Sequence, residues 1–321
     1  MKNLFLTGIF ICLTCIGIHA QLNGYFTQHS LNKYQFNPAF GGLERSISIH
    51  LASRSQWTNL SDNPAQQYLA AHMPAYLLQG GVGIQIQNES QGLFTNTSGS
   101  LSYNYILQSS MGLFSFGAAV GITKTSLNGR GITTPDGIYT DIEINHNDPQ
   151  LSELAINANT LINSVGIYYA GDLFEGGISV LNIPSRRSGL NPSNILFDPI
   201  ISFYLESFFF VGNQSNRVTP SILLMTNGSA TQITTGAIGE FGNILAGLSI
   251  RGFSSKSIDG LNFIIGSKVN PKLRISYSYD YGLNSLQVFS EGSHELQINY
   301  NLNKQISWGL PPKIRYNPRS L

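Results

Sequence analysis

The stretch Leu273-Arg274-Ile275-Ser276-Tyr277-Ser278-Tyr279 sets apolar or aromatic side chains two apart, with a polar residue between each pair. Successive side chains of a β-strand point to opposite faces, so this spacing describes a strand that is apolar on one face and polar on the other. A second run, Leu296-Gln297-Ile298-Asn299-Tyr300-Asn301-Leu302, repeats the pattern. It recurs upstream, where Ile47, Ile49 and Leu51, then Val82, Ile84 and Ile86, then Leu101, Tyr103 and Tyr105 alternate with polar residues. Segments of this kind start near Arg45, Gln66, Gly81, Ser98, Leu113, Thr160, Glu175, Pro199, Val218, Ala230, Asn243, Leu261, Lys272 and His294. Their length of roughly eight to twelve residues suits a bilayer, which takes about 9–11 residues per strand, better than a soluble sheet with strands of about 5–6. The expected fold is therefore all-β: a transmembrane antiparallel β-barrel of about 14 strands, an even count that leaves both termini periplasmic.

The connections carry an independent signal. Between the expected strands, Met73–Gln79, Gln108–Gly112, Gly171–Phe174, Gly212–Arg217, Gly239–Gly242 and Lys268–Pro271 are short and even-numbered, whereas Thr123–Asn159, Asn182–Phe197 and Gly282–Ser293 are long and odd-numbered. Outer-membrane barrels have short periplasmic turns and long external loops, so the odd connections are expected outside. Closure has a simple cause. Unpaired backbone N–H and C=O groups in hydrocarbon cost several kcal/mol each, so a spanning sheet keeps no free edge. The apolar face meets lipid and the Ser, Asn, Gln and Arg face meets a wet interior. Tyr103, Tyr105, Tyr277, Tyr279 and Tyr300 are candidates for the interfacial aromatic girdles.

Composition agrees. Charged residues are 11% of 321, against roughly 25% in a soluble domain, yet 42% are hydrophobic and the formal charge is +1. So few charges argue against a coiled coil, a charged disordered chain or a nucleic-acid binder. The first twenty residues read as a secretory signal peptide, with Lys2, an apolar Leu4–Ile18 core and a cut after Ala20. Neither Cys12 nor Cys15 follows a small residue as lipidation requires, and both leave with the signal. The expected organisation is signal peptide 1–20, N-terminal periplasmic segment 21–44, barrel 45–302 and periplasmic tail 303–321. The N-terminal segment and the basic tail would bind periplasmic partners or plug the barrel.

Catalytic signatures are lacking. His29, His50, His72, His146 and His294 show no HExxH or His-x-His spacing, so no metal is expected, although His50 and His72 fall on polar faces of neighbouring strands. Gly80, Gly81 and Gly83 precede no helix and form no phosphate loop. The acids of Asp136–Asp148 match no calcium loop. A Ser/His pair of a lipid hydrolase cannot be told from chance in so serine-rich a chain. We expect no enzyme, no catalytic residue and no cofactor.

Certain words are more specific. Gln35-Phe36-Asn37-Pro38-Ala39-Phe40-Gly41-Gly42 is followed by Arg54-Ser55-Gln56-Trp57, Asn63-Pro64 and Gly81-Val82-Gly83. Asn147-Asp148-Pro149, Val165-Gly166-Ile167-Tyr168-Tyr169 and Gly176-Gly177-Ile178-Ser179-Val180 stand in the middle. Tyr279-Asp280-Tyr281 and Gly292-Ser293-His294-Glu295-Leu296 stand near the end. In this order they resemble the PorP/SprF family of Bacteroidetes outer-membrane proteins, over about Gly24 to Leu302. The resemblance implies an outer-membrane barrel, embedded in outer-membrane lipid, that serves type IX secretion and gliding motility. It implies that the barrel helps export or anchor a secreted surface protein bearing a C-terminal sorting domain. It also implies a periplasmic partner, either a peptidoglycan-binding protein or a component of the secretion motor. Asn37, Pro38, Gly41, Arg54, Gln56, Trp57, Ser293, His294 and Glu295 are carried over as structural or docking positions. The alternative is a diffusion channel or hydrophobic-solute transporter.

Overall fold

The computed structural model describes residues 26–140, 144–148, 156–188, 198–212, 216–252, 258–283 and 285–304. Among them, fourteen strands form one antiparallel sheet that closes on itself. These are β1 (Ser48–Ser55), β2 (Ala65–Ala75), β3 (Gly80–Gln91), β4 (Phe94–Ser109), β5 (Gly112–Leu127), β6 (Ile156–Ala170) and β7 (Phe174–Ser188). The second half comprises β8 (Ile200–Ser207), β9 (Asn216–Thr226), β10 (Thr231–Phe241), β11 (Ile244–Gly252), β12 (Ile258–Asn270), β13 (Leu273–Gly282) and β14 (Ser293–Asn301). β8 breaks at Phe208 and resumes as Phe209–Phe210 against β9. Each strand pairs with its neighbours in sequence, and β14 pairs with β1 from Ser48↔Asn301 to Ser55↔His294, so no edge remains. The expected barrel is present, and the four longest connections, 56–64, 128–155, 189–199 and 283–292, are all odd-numbered.

The wall is built inside out relative to a soluble protein. Leu101, Val120, Ile167, Ile178, Leu248 and Ile265 are exposed on the outer face, while Ser102, Asn104, Ser115, Ser179, Ser202, Asn262 and Ser278 are buried within. So much contiguous exposed apolar surface is foreign to a soluble monomer and matches a lipid-facing band. Tyr103 donates to Leu78 O at 2.6 Å, Tyr105 to Gln79 Oε1 at 3.0 Å and Tyr169 to Met111 O at 2.6 Å, all at the end carrying the even connections. Tyr277, Tyr279 and Tyr281 approach the other end. Each ring thus keeps its body in the apolar band and its hydroxyl on a polar partner at the rim.

Strands β4 to β7 are longer than expected, at 15 or 16 residues. At about 3.3 Å per residue they run about 50 Å, well past the apolar band. Their extra length lies at the odd-connection end, where the outward positions are Thr95, Thr97, Lys124, Ser126, Asn157 and Asn159. Both faces are polar there, so the apolar period that reveals a strand is missing. Inside the long connection 128–155, Ile138–Tyr139 pairs with Ile144–Asn145, and the His146 ring packs on Tyr139.

Of the two roles expected for the N-terminal segment, partner binding or plugging, the interior shows the second. Residues 26–43, expected on the periplasmic side, run through the lumen in three short 3-10 turns, His29–Leu31, Lys33–Gln35 and Pro38–Phe40. Phe26, Tyr34, Phe36, Ala39 and Phe40 form one buried apolar cluster with wall residues that include Ala52, Tyr68, Tyr168, Tyr204 and Met225. Leu31 sits in a second cluster with Ile238, Leu245 and Ile264. The physical reason is the content of the segment: its aromatic rings need burial, and its backbone donors find polar partners on the Ser- and Asn-rich wall. The expected signal peptide, 1–20, and nearly all of the expected tail 303–321 lie outside the described residues.

Candidate functional site: the plug and its receptor

The plug enters at the odd-connection end. There Arg54, on β1, lies inside the barrel opposite Glu295 of β14. Its Nη1 reaches Glu295 Oε2 at 3.3 Å and its Nη2 reaches Asp280 Oδ2 at 2.7 Å. Arg251 Nη2 meets the same Asp280 oxygen at 2.6 Å. Glu295 also takes two plug amides, Thr27 N at 2.6 Å and Gln28 N at 3.1 Å, and Arg54 Nη1 donates to Thr27 Oγ1. A buried carboxylate is tolerated when donors satisfy its lone pairs, and here an arginine and two backbone amides do so.

Halfway along, His29 Nε2 lies 3.0 Å from Ser221 Oγ, and Ser30 Oγ donates to the same oxygen at 2.9 Å. Tyr34 OH is 2.6 Å from Ser102 Oγ. The Tyr34 ring lies against Gly83 so closely that a Cβ there would sit 2.3 Å from its hydroxyl.

Lys33 closes the even-connection end. Its ammonium pairs with Glu175 and Glu206, which Tyr168 and Tyr204 brace by donating their hydroxyls. Burial works against the Lys33 charge, and the two carboxylates paired with it offset that cost. Asn37 then caps the last 3-10 turn, accepting from Ala39 N at 2.9 Å, with Pro38 in the first turn position that suits its fixed φ. Its Nδ2 donates to Ile167 O at 3.0 Å and Ile178 O at 3.3 Å, gripping β6 and β7. Gly166 and Gly177 admit it: a Cβ on Gly166 would stand 2.1 Å from Asn37 Oδ1.

The nine residues singled out in the sequence thus fall into two groups. Asn37, Pro38 and Gly41 belong to the plug, where Gly41 packs against Gly81. Arg54, Gln56, Trp57, Ser293, His294 and Glu295 lie along the seam where β1 meets β14. Trp57 N donates to Ser293 Oγ at 3.1 Å, and Gln56 N to Pro64 O at 2.8 Å. His294 faces outward, with its Nδ1 2.6 Å from Tyr277 OH. His50 and His72 do both point inward. Sequence reasoning missed Lys33, Glu175, Glu206 and Arg251. Their signal was available: in a chain so poor in charge, the wall residues Glu175, Glu206 and Arg251 hold inward positions of their strands.

A family model described as type IX secretion system membrane protein PorP/SprF matches residues 18–300. No curated protein matches the chain. Among solved structures it is similar to the outer membrane protein Omp33 of Acinetobacter baumannii, at 5% identity and TM-score 0.46, over 80% of this chain and 99% of that one. A mutant porin of Rh. blastica aligns at 8% identity and TM-score 0.35, over 80% and 98%. The KdgM porin aligns at 7% identity and TM-score 0.38, over 79% and 98%.

Proposed function

The chain belongs to the PorP/SprF family of type IX secretion system membrane proteins, and from that membership we propose that its outer-membrane barrel docks a secreted surface protein rather than passing solutes. The observation that carries this reading is the plug: residues 26–43 fill the lumen and are tied to the wall at both ends, by Glu295 and by Lys33. A barrel packed with its own chain suits an anchor and argues against a diffusion channel.

We place the odd connections outside. The tall wall of β4 to β7 then rises above the outer leaflet as a rigid platform, and its outward Thr, Ser and Asn side chains favour hydrogen-bonded recognition over charge steering. The cargo is a protein carrying a C-terminal sorting domain. The even connections and the basic tail 303–321 face the periplasm and meet a peptidoglycan-binding or secretion-motor component. None of this requires the chain to be an enzyme. Affinity capture of the tagged chain from outer membranes is expected to recover a large secreted protein with such a domain. Recovery of only lipopolysaccharide and general porins would overturn the docking role.

A further inference from the structure

Glu44 immediately follows the plug, at the even-connection end. His50 on β1 and His72 on β2 face it from the wall. The two histidines are diagonal neighbours in the ladder, His50 opposite Ala70 and His72 opposite Ser48, and their rings stack at 5.5 Å and 21°. Each Nε2 is 3.9 Å from the same Glu44 Oε2. Both histidines are almost wholly buried, at 4% and 2% exposure, and neither Nε2 has a hydrogen-bond partner. Two buried ring nitrogens left unpaired beside one carboxylate need an explanation, since such atoms are normally satisfied.

The surroundings of His50 supply one. Asn299 Nδ2 donates to Leu31 O at 3.0 Å, which turns its Oδ1 toward His50 Nδ1, 3.0 Å away. The His50 proton therefore sits on Nδ1, and the Nε2 lone pair is aimed at Glu44. This is the outer arrangement that orients a ligating histidine. We propose that Glu44, His50 and His72 hold a divalent transition ion of the zinc type, which pins the end of the plug to β1 and β2. Two imidazoles and a carboxylate favour zinc over magnesium or calcium, which prefer all-oxygen sites. The three donor atoms already lie within 4.8 Å of one another. Bonds of about 2.0–2.2 Å require them only to close by small side-chain rotations. Glu44 also borders a cavity of about 200 Å³, which has room for a water as fourth ligand.

Loading has a structural consequence. His72 Nδ1 accepts Gly42 N–H at 3.2 Å. For Nε2 to bind metal, the neutral ring carries its proton on Nδ1, so the Gly42 amide loses that acceptor and the last turn of the plug shifts.

The test uses the full chain in detergent, stripped with a chelator and dialysed against zinc, magnesium or calcium. About one zinc per chain is expected after washing, with neither magnesium nor calcium retained, and cobalt in its place should give the visible bands of tetrahedral N/O ligation. His50→Ala and His72→Ala should each weaken zinc binding more than about tenfold, while the outward His294→Ala leaves it unchanged. Glu44 is one-third exposed (32%), so Glu44→Gln keeps the fold and serves where the histidine variants do not assemble. Zinc content at background, or binding undiminished in Glu44→Gln, would overturn the proposal and leave a plain His–Glu contact.

Discussion

Arg54 and Glu295 are separated by nearly the whole barrel in sequence, yet they stand opposite each other where the first and last strands pair. Their side chains meet at 3.3 Å inside the wall, and the same Glu295 binds the Thr27 and Gln28 amides. One carboxylate therefore ties barrel closure to the seating of the plug. Glu295→Ala leaves Arg54 buried beside Asp280 and two amides unpaired. Loss of one partner from a buried pair costs about 3–5 kcal/mol. Thermal unfolding in detergent should show that loss, and Glu295→Gln, which keeps an acceptor, should show less.

Lys33 does for the other end what Arg54 does for the first. Lys33→Met leaves Glu175 and Glu206 facing each other without a cation. The plug should loosen there while the strand ladder persists. Hydrogen exchange across 29–43 is expected to quicken more than about tenfold, with exchange in β4 and β5 unchanged.

Gly166→Ala drives a methyl group into Asn37, whose Oδ1 would lie 2.1 Å away. Overpacking of this kind costs about 1–3 kcal/mol. The pairing of Gly166 with Ser179 and Gly117 is main-chain and survives. A lowered melting temperature with an unchanged circular dichroism spectrum is the expected result.

The outer face makes a separate prediction. Leu248 lies at the centre of β11 and is 61% exposed, where lipid is expected. Leu248→Arg should cost about 2–4 kcal/mol of folding into vesicles, and Thr97→Arg, on the tall wall beyond the band, about 0–1. Equal effects in urea titrations would remove the membrane reading of that face.

These residues also show what a sequence can reveal. Lipid on one side and polar lumen on the other impose a strict period of two, so the strands expected near Leu113, Glu175 and His294 begin at Gly112, Phe174 and Ser293. The expected starts at Ser98 and Thr160 fall short of the observed Phe94 and Ile156. In those extensions both faces are polar and the period vanishes. The plug has no such period. From His29 to Phe40 its apolar and polar residues follow the irregular interior of a barrel, and neither three-and-a-half nor two repeats. The words around Asn37 and Glu295 were legible as a pattern. Their meaning, a plug and its receptor, depends on long-range contacts that spacing does not encode.

The central claim is a membrane barrel whose own N-terminal residues close it. Single-channel recording of the full chain in planar bilayers tests it most directly. The account predicts no stable conductance steps from the full chain and stable steps once residues 26–43 are deleted. Steady ohmic conductance from the full chain would contradict it.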